Sequence, residues 1–133
     1  MSAGLWLALV PPGRVLPLDE LAVRLATLPD VEVHCKRRYL TVEVYDRKTG
    51  RRPRIVVGLN IEPYVKLESA EIAAMRGSAR SDRDMIAAAD ARYELTWHPR
   101  VAYEAYNTLV RIAEEIERAS GVVIYNPAEG SFV

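Results

Sequence analysis

The chain has 133 residues, 50% of them hydrophobic and 27% charged, with 18 basic side chains against 18 acidic ones and a formal net charge of zero. That is enough for a single domain with a core that needs no covalent staples, and it excludes a global field that would recruit polyanions or anionic membranes. Cys35 is the only cysteine, which excludes an intramolecular disulfide and a cysteine-based zinc site and fits a reducing cytoplasm.

The opening "MSAGLWLALV" lacks the basic start and small-residue cleavage pattern of a leader. Its apolar run, residues 5–10, stops at Pro11-Pro12-Gly13 and predicts a buried strand. No apolar run approaches the length of a membrane span. In "LDELAVRLATLPD", Leu18, Leu21, Leu25 and Leu28 recur at helical spacing, with Asp19 and Glu20 near the start and Pro29 at the end. From Val31 to Tyr45 the period becomes two, with Leu40, Val42 and Val44 on one face and Tyr39, Thr41, Glu43 and Tyr45 on the other. After Thr49-Gly50 the alternation resumes through Ile55, Val57, Leu59 and Ile61, which predicts a hairpin.

"VKLESAEIAAMRG" predicts a helix ended by Gly77, and Ser81 or Asp82 suits the N-cap of a short helix over "RDMIAAAD". "RYELTW" is a strand with Tyr93, Leu95 and Trp97 on one face, and Pro99 fits the first position of the helix that follows. The segment from Pro99 to Ser120 carries one stripe of Val101, Ala105, Leu109, Ile112, Ile116 and Ala119, and so predicts one long helix. Gly121 caps it, "VVIY" is the last strand and "NPAEG" a turn. The expected architecture is one α+β domain over residues 1–133, in the order β-α-β-β-α-α-β-α-β. It has a single antiparallel or mixed sheet of about five strands, helices packed on one face and a ferredoxin-like first part.

Residues 36–54, "KRRYLTVEVYDRKTGRRPR", hold eight of the 18 basic residues. On an extended hairpin they separate into two patches roughly 30 Å apart at about 3.3 Å per residue. The face between them carries Glu43, which repels phosphate. Nucleic-acid binding through this hairpin is the alternative reading, with no RRM, KH or helix-turn-helix pattern behind it. Charged hairpin ends that discourage edge-to-edge association are the plainer account.

Few residues suggest chemistry. His34 and Cys35 are neighbours on a strand and point to opposite faces, so they make no thiolate–imidazole pair, and Cys35 reads as a small buried hydrophobe. His34 and His98 have no metal-ligand spacing, and no glycine pattern cradles a phosphate. No catalytic, metal or cofactor site is expected; a small enzyme with an unrecognised site is the third reading.

The closing "ASGVVIYNPAEGSFV", in which a helix runs into glycine, a short apolar strand and an x-Pro-x-x-Gly turn, resembles the end of small bacterial immunity-type proteins of polymorphic toxin systems. The resemblance implies a non-enzymatic cytoplasmic protein that occludes a cognate toxin, and it brings no catalytic residues. The expected contact residues are Tyr39, Glu43 and Tyr45 on the outer hairpin face, Arg47 and Arg52 at its rim, and Glu114 and Glu117 on the last helix, since aromatics beside arginines anchor interfaces. A homodimer through the same strand face is the structural variant, and no membrane partner is expected.

Overall fold

The computed structural model describes residues 4–133, apart from the side chains of residues 102–104. Seven strands are seen: β1 (Gly4–Val10), β2 (Val31–Cys35), β3 (Tyr39–Val44), β4 (Arg54–Asn60), β5 (Ala91–Trp97), β6 (Val123–Asn126) and β7 (Ser131–Phe132). They form one sheet in the order β2-β3-β4-β5-β1-β6-β7, and every neighbouring pair is antiparallel. The helices are α1 (Leu18–Leu25), α2 (Tyr64–Arg76), α3 (Arg83–Ala87), α4 (Pro99–Glu104) and α5 (Tyr106–Ser120). No helix among the described residues is long and apolar enough to cross a membrane.

The chain is α+β, but the expected sheet of about five strands is corrected in number, order and covering. The predicted run from Val31 to Tyr45 is two strands, with Lys36 N–H donating to the Tyr39 carbonyl at 2.8 Å across the turn. Apolar residues occupy odd positions in Val31 and Val33 and even positions in Leu40, Val42 and Val44. A strand cannot change parity without turning its side chains to the other face, so the phase slip marks the turn. The seventh strand follows the predicted "NPAEG" turn. There the Asn126 side-chain oxygen accepts from the Ala128 N–H at 3.1 Å, and Gly130 takes a positive φ of 66°.

The expected long helix from Pro99 to Ser120 is interrupted at Ala105, whose φ of −143° is not helical. Neither glycine nor proline lies there, so the sequence reads as continuous. His98 caps α4, its Nδ1 accepting from the Arg100 N–H at 3.2 Å, with Pro99 at the first helical position. Gly121 ends α5 in the left-handed region, as a C-cap glycine does.

The ferredoxin-like first part is also corrected. The antiparallel ladder leaves three strands between β1 and β2, which is not a split β-α-β unit. That form occurs in the second half: β5 and β6 flank β1, run parallel to each other and are joined through α4 and α5.

Helices cover both faces, not one. On the first, Leu21 and Leu25 of α1 and Leu109, Ile112 and Ile116 of α5 pack on Trp6, Val10, Val42, Ile55, Tyr93 and Leu95. Full burial of each such aliphatic side chain contributes about 1.5–3 kcal/mol. Tyr93 also ties down the connection before α1, because its hydroxyl donates to the Leu16 carbonyl at 2.7 Å and accepts from the Leu16 N–H at 2.8 Å. At the end of β5 the Trp97 ring stands edge-on to Trp6, 5.2 Å between centroids, and lies where a Cβ on Gly4 would project.

On the second face, Ala73 of α2 and Ile86 of α3 pack on Leu7, Leu9 and Tyr125. This covering extends from β6 across β1 to β5, where Glu68 of α2 meets Arg92. The other half of that face is left open.

Candidate contact surface on the open half of the sheet

Strand register sets which side chains share the open face. Glu32 of β2 lies opposite Glu43 of β3, which lies opposite Arg54 of β4. The next row runs His34, Thr41, Val56, Thr96 and Leu5 across five strands, and beyond it Tyr39, Gly58 and Glu94 are paired. Tyr39 and Tyr45 stand at the two ends of the β3 row, 42% and 46% exposed.

Two glutamates directly opposite each other on a ladder repel, and the charges around them offset this. Arg52 reaches the far oxygens of both, with Nη1 3.1 Å from Glu32 Oε2 and 3.8 Å from Glu43 Oε2. Arg54 Nη2 is 3.7 Å from Glu43 Oε1. His34 Nε2 is 3.4 Å from Glu32 Oε1 and 4.0 Å from Glu43 Oε1. Arg52 also sits over the Tyr45 ring, 5.7 Å from its centroid, a cation–π contact that orders both.

Between these groups is a cleft of about 190 Å³ lined by Asp30, Val31, Glu32, Glu43, Tyr45 and Arg52. A second depression, about 330 Å³, lies between Arg54, Val56, Thr96, Trp97 and His98. The Glu43–Arg54 pair lies between the two, Glu43 lining the first and Arg54 the second. The first is below the roughly 300–1,000 Å³ usual for a small-molecule site and the second is at its lower end.

The hairpin tip is preformed. Asp46 accepts from the Lys48 N–H and the Thr49 hydroxyl, each at 2.9 Å, and these bonds hold its carboxyl below the usual carboxylate range. Arg47 projects from the tip and pairs with Asp30 at 2.9 Å. Within the basic stretch, Arg47, Arg52 and Arg54 each face a carboxylate.

Sequence reasoning did not bring His34 together with Glu32 and Glu43. Their ligand-type atoms lie within 4.8 Å of one another, a juxtaposition made by strand register and invisible to a search for linear metal motifs. Two arginines already neutralise the two carboxylates, so the cluster is accounted for as a cross-strand charge ladder. Cys35 is exposed, not buried as expected.

A further polar group borders the open face under α2. Arg92 is only 6% exposed and donates to Glu94 at 2.7 Å and Glu68 at 3.3 Å. Asn60 donates to Glu94 at 3.0 Å and to the Tyr64 hydroxyl at 2.7 Å. Burial works to lower the Arg92 pKa, but the bonds to Glu94 and Glu68 outweigh it and the net direction is upward. Arg92 and Glu94 stand two apart on a strand and hence on one face, which is the sequence signal for this group.

Glu114 and Glu117 are exposed on α5, whose apolar side packs on the first face of the sheet. The sheet separates them from Tyr39, Glu43 and Tyr45, so the two expected contact patches are not one surface. Partial desolvation, and then the nearby Glu114 charge, raise the Glu117 pKa, with Arg118 acting against them. Glu115, between Glu114 and Glu117 in sequence, is half-buried. It pairs with Arg118 at 2.7 Å and with Arg24 of α1 at 3.8 Å, linking the two helices. No protein-family model, curated protein or solved structure matches this chain.

Proposed function

We propose that the protein is a non-catalytic binding module that takes a protein partner on the open half of its sheet. The observation that carries this reading is the one-sided covering of the second face: α2 and α3 lie over β1, β6 and β5 and leave β2 and β3 without a helix, with Tyr39, Glu43, Tyr45 and Arg52 at the surface. Tyrosine and arginine are favoured anchors at a contact centre, and the matched carboxylates at Glu32 and Glu43 supply a polar rim. Arg47 lies at the edge of this patch. A standard interface takes about 800 Å² from each partner, so a partner seated here does not also reach Glu114 and Glu117 through the sheet. The narrower reading, a cytoplasmic immunity-type protein that covers a toxin's active site, rests on the likeness of the C-terminal segment and of the overall layout.

The test is capture from the native host with the tagged chain after nuclease treatment. A stoichiometric protein partner is expected. Against that partner, Tyr45→Ala and Tyr39→Ala are each expected to weaken binding by about 2 kcal/mol, the usual loss at an anchor residue, while Glu117→Gln leaves the affinity unchanged. Recovery of nucleic acid alone, in a salt-sensitive manner when nuclease is omitted, overturns the reading.

A further inference from the structure

We propose that the outer edge of β2 is a self-pairing strand that joins two copies of the chain about a two-fold axis at Val33. The inference does not rest on the partner-binding reading, because it uses the edge of the sheet and not its open face.

β2 and β7 are the two edges of the sheet, and β7 has only two residues. β2 has five, with no proline to block pairing. Its bonding parity is fixed by the neighbours. Tyr45 N–H donates to the Asp30 carbonyl and Lys36 N–H to the Tyr39 carbonyl, both at 2.8 Å. Even-numbered residues therefore bond to β3, and the N–H and C=O groups of Val31, Val33 and Cys35 are directed to the open edge.

An antiparallel second copy must bond through the same odd residues, which leaves few registers. Centred on Val33, Val33 pairs with its own counterpart and Val31 with Cys35 of the other copy, so all three outward residues are matched. On the opposite face Glu32 then stands across from His34, and the acidic end at Asp30 meets the basic end at Lys36. "DVEVHCK" reads acid, apolar, acid, apolar, base, apolar, base; inverted about its centre, acids meet bases and apolar residues meet apolar ones. A shift of two residues one way sets Glu32 against Glu32, which repels. A shift the other way sets His34 against His34 and leaves Val31 unpaired. Isologous pairing of this kind closes after two copies and does not propagate.

The experiment is sedimentation velocity on the full chain over a concentration series, with two variants. The unaltered chain is expected to sediment as a dimer, and Val33→Pro as a monomer with its fold retained. The Val33 N–H serves only the outer edge, and proline is tolerated on that side of an edge strand. Val31→Cys under mild oxidation is expected to give a disulfide between Cys35 and the new cysteine of the other copy, found as a dimer on a non-reducing gel and as the linked peptide by mass spectrometry. Cα atoms about 5.5 Å apart across a bonded pair suit that bridge, whereas positions 31 and 35 of one strand are about 13 Å apart and cannot close within a chain. The unaltered chain forms no such link, since Cys35 faces Val31. A monomer at every concentration, a dimer that survives Val33→Pro, or a Val31→Cys variant that stays unlinked overturns the proposal.

Discussion

At the scale of single residues, the side chains that fix geometry are those whose polar atoms have no substitute partner. The Tyr93 hydroxyl both donates to and accepts from Leu16. Tyr93→Phe is expected to destabilise the fold by about 1–3 kcal/mol, since it leaves the Leu16 backbone groups unsatisfied; urea unfolding measures this. Asp82 occupies the N-cap position expected of it, but makes no capping bond there. Its carboxylate is held by the Arg80 fork at 2.8 and 2.9 Å, which lowers its pKa. A lowered carboxyl contributes stability above its unfolded value and loses it as pH falls through the folded one. Asp82→Asn should therefore lower stability near neutrality by about 0.2–1 kcal/mol, the range for surface pairs. Melting curves of the two proteins should converge in acid. The alternation of "RYELTW" and Pro99 at a helix start were legible because each depends on local geometry alone. The exposure of Cys35 was not, because it depends on β2 being an edge.

At the scale of elements, strand existence was legible and strand number was not. The parity slip between Val33 and Leu40 was in the sequence, but it shows only when the faces are followed residue by residue through Lys36-Arg37-Arg38. The break at Ala105 has no proline or glycine to announce it. Covering on both faces arises from α2, whose buried residues Val65, Ser69 and Ala73 are too few and too small to announce a packing side. What secures α2 at the rim of the open face is polar: Arg92 bonds to Glu68 of the helix and Glu94 of the sheet. Breaking a buried pair costs about 3–5 kcal/mol, and since both carboxylates here reach solvent, Arg92→Met is expected to cost about 1–3 kcal/mol. Hydrogen exchange should show the loss first as faster exchange in α2, with β3 and β4 unaffected.

At the scale of the whole molecule, the proposed function turns on what the helices leave uncovered. Tyr39, Glu43 and Tyr45 were identifiable from a period of two, and the structure sets them on one face with Arg52. Their placement on one face with Arg54, Val56 and Thr96 was not identifiable, because it requires the order β3-β4-β5 and the register between those strands. Glu114 and Glu117 were equally visible as charges, yet only the fold shows that the sheet lies between them and the tyrosines.

The central claim is that the open sheet face bears the partner, and hydroxyl-radical footprinting of the captured complex tests it most directly. Tyr39, Tyr45 and Tyr106 begin with similar exposure, Tyr106 at 50% on α5, so each reports its own surface in one experiment. The account predicts that oxidation of Tyr39 and Tyr45 falls in the complex while that of Tyr106 is unchanged; undiminished labelling of Tyr39 and Tyr45 in a stoichiometric complex would contradict it.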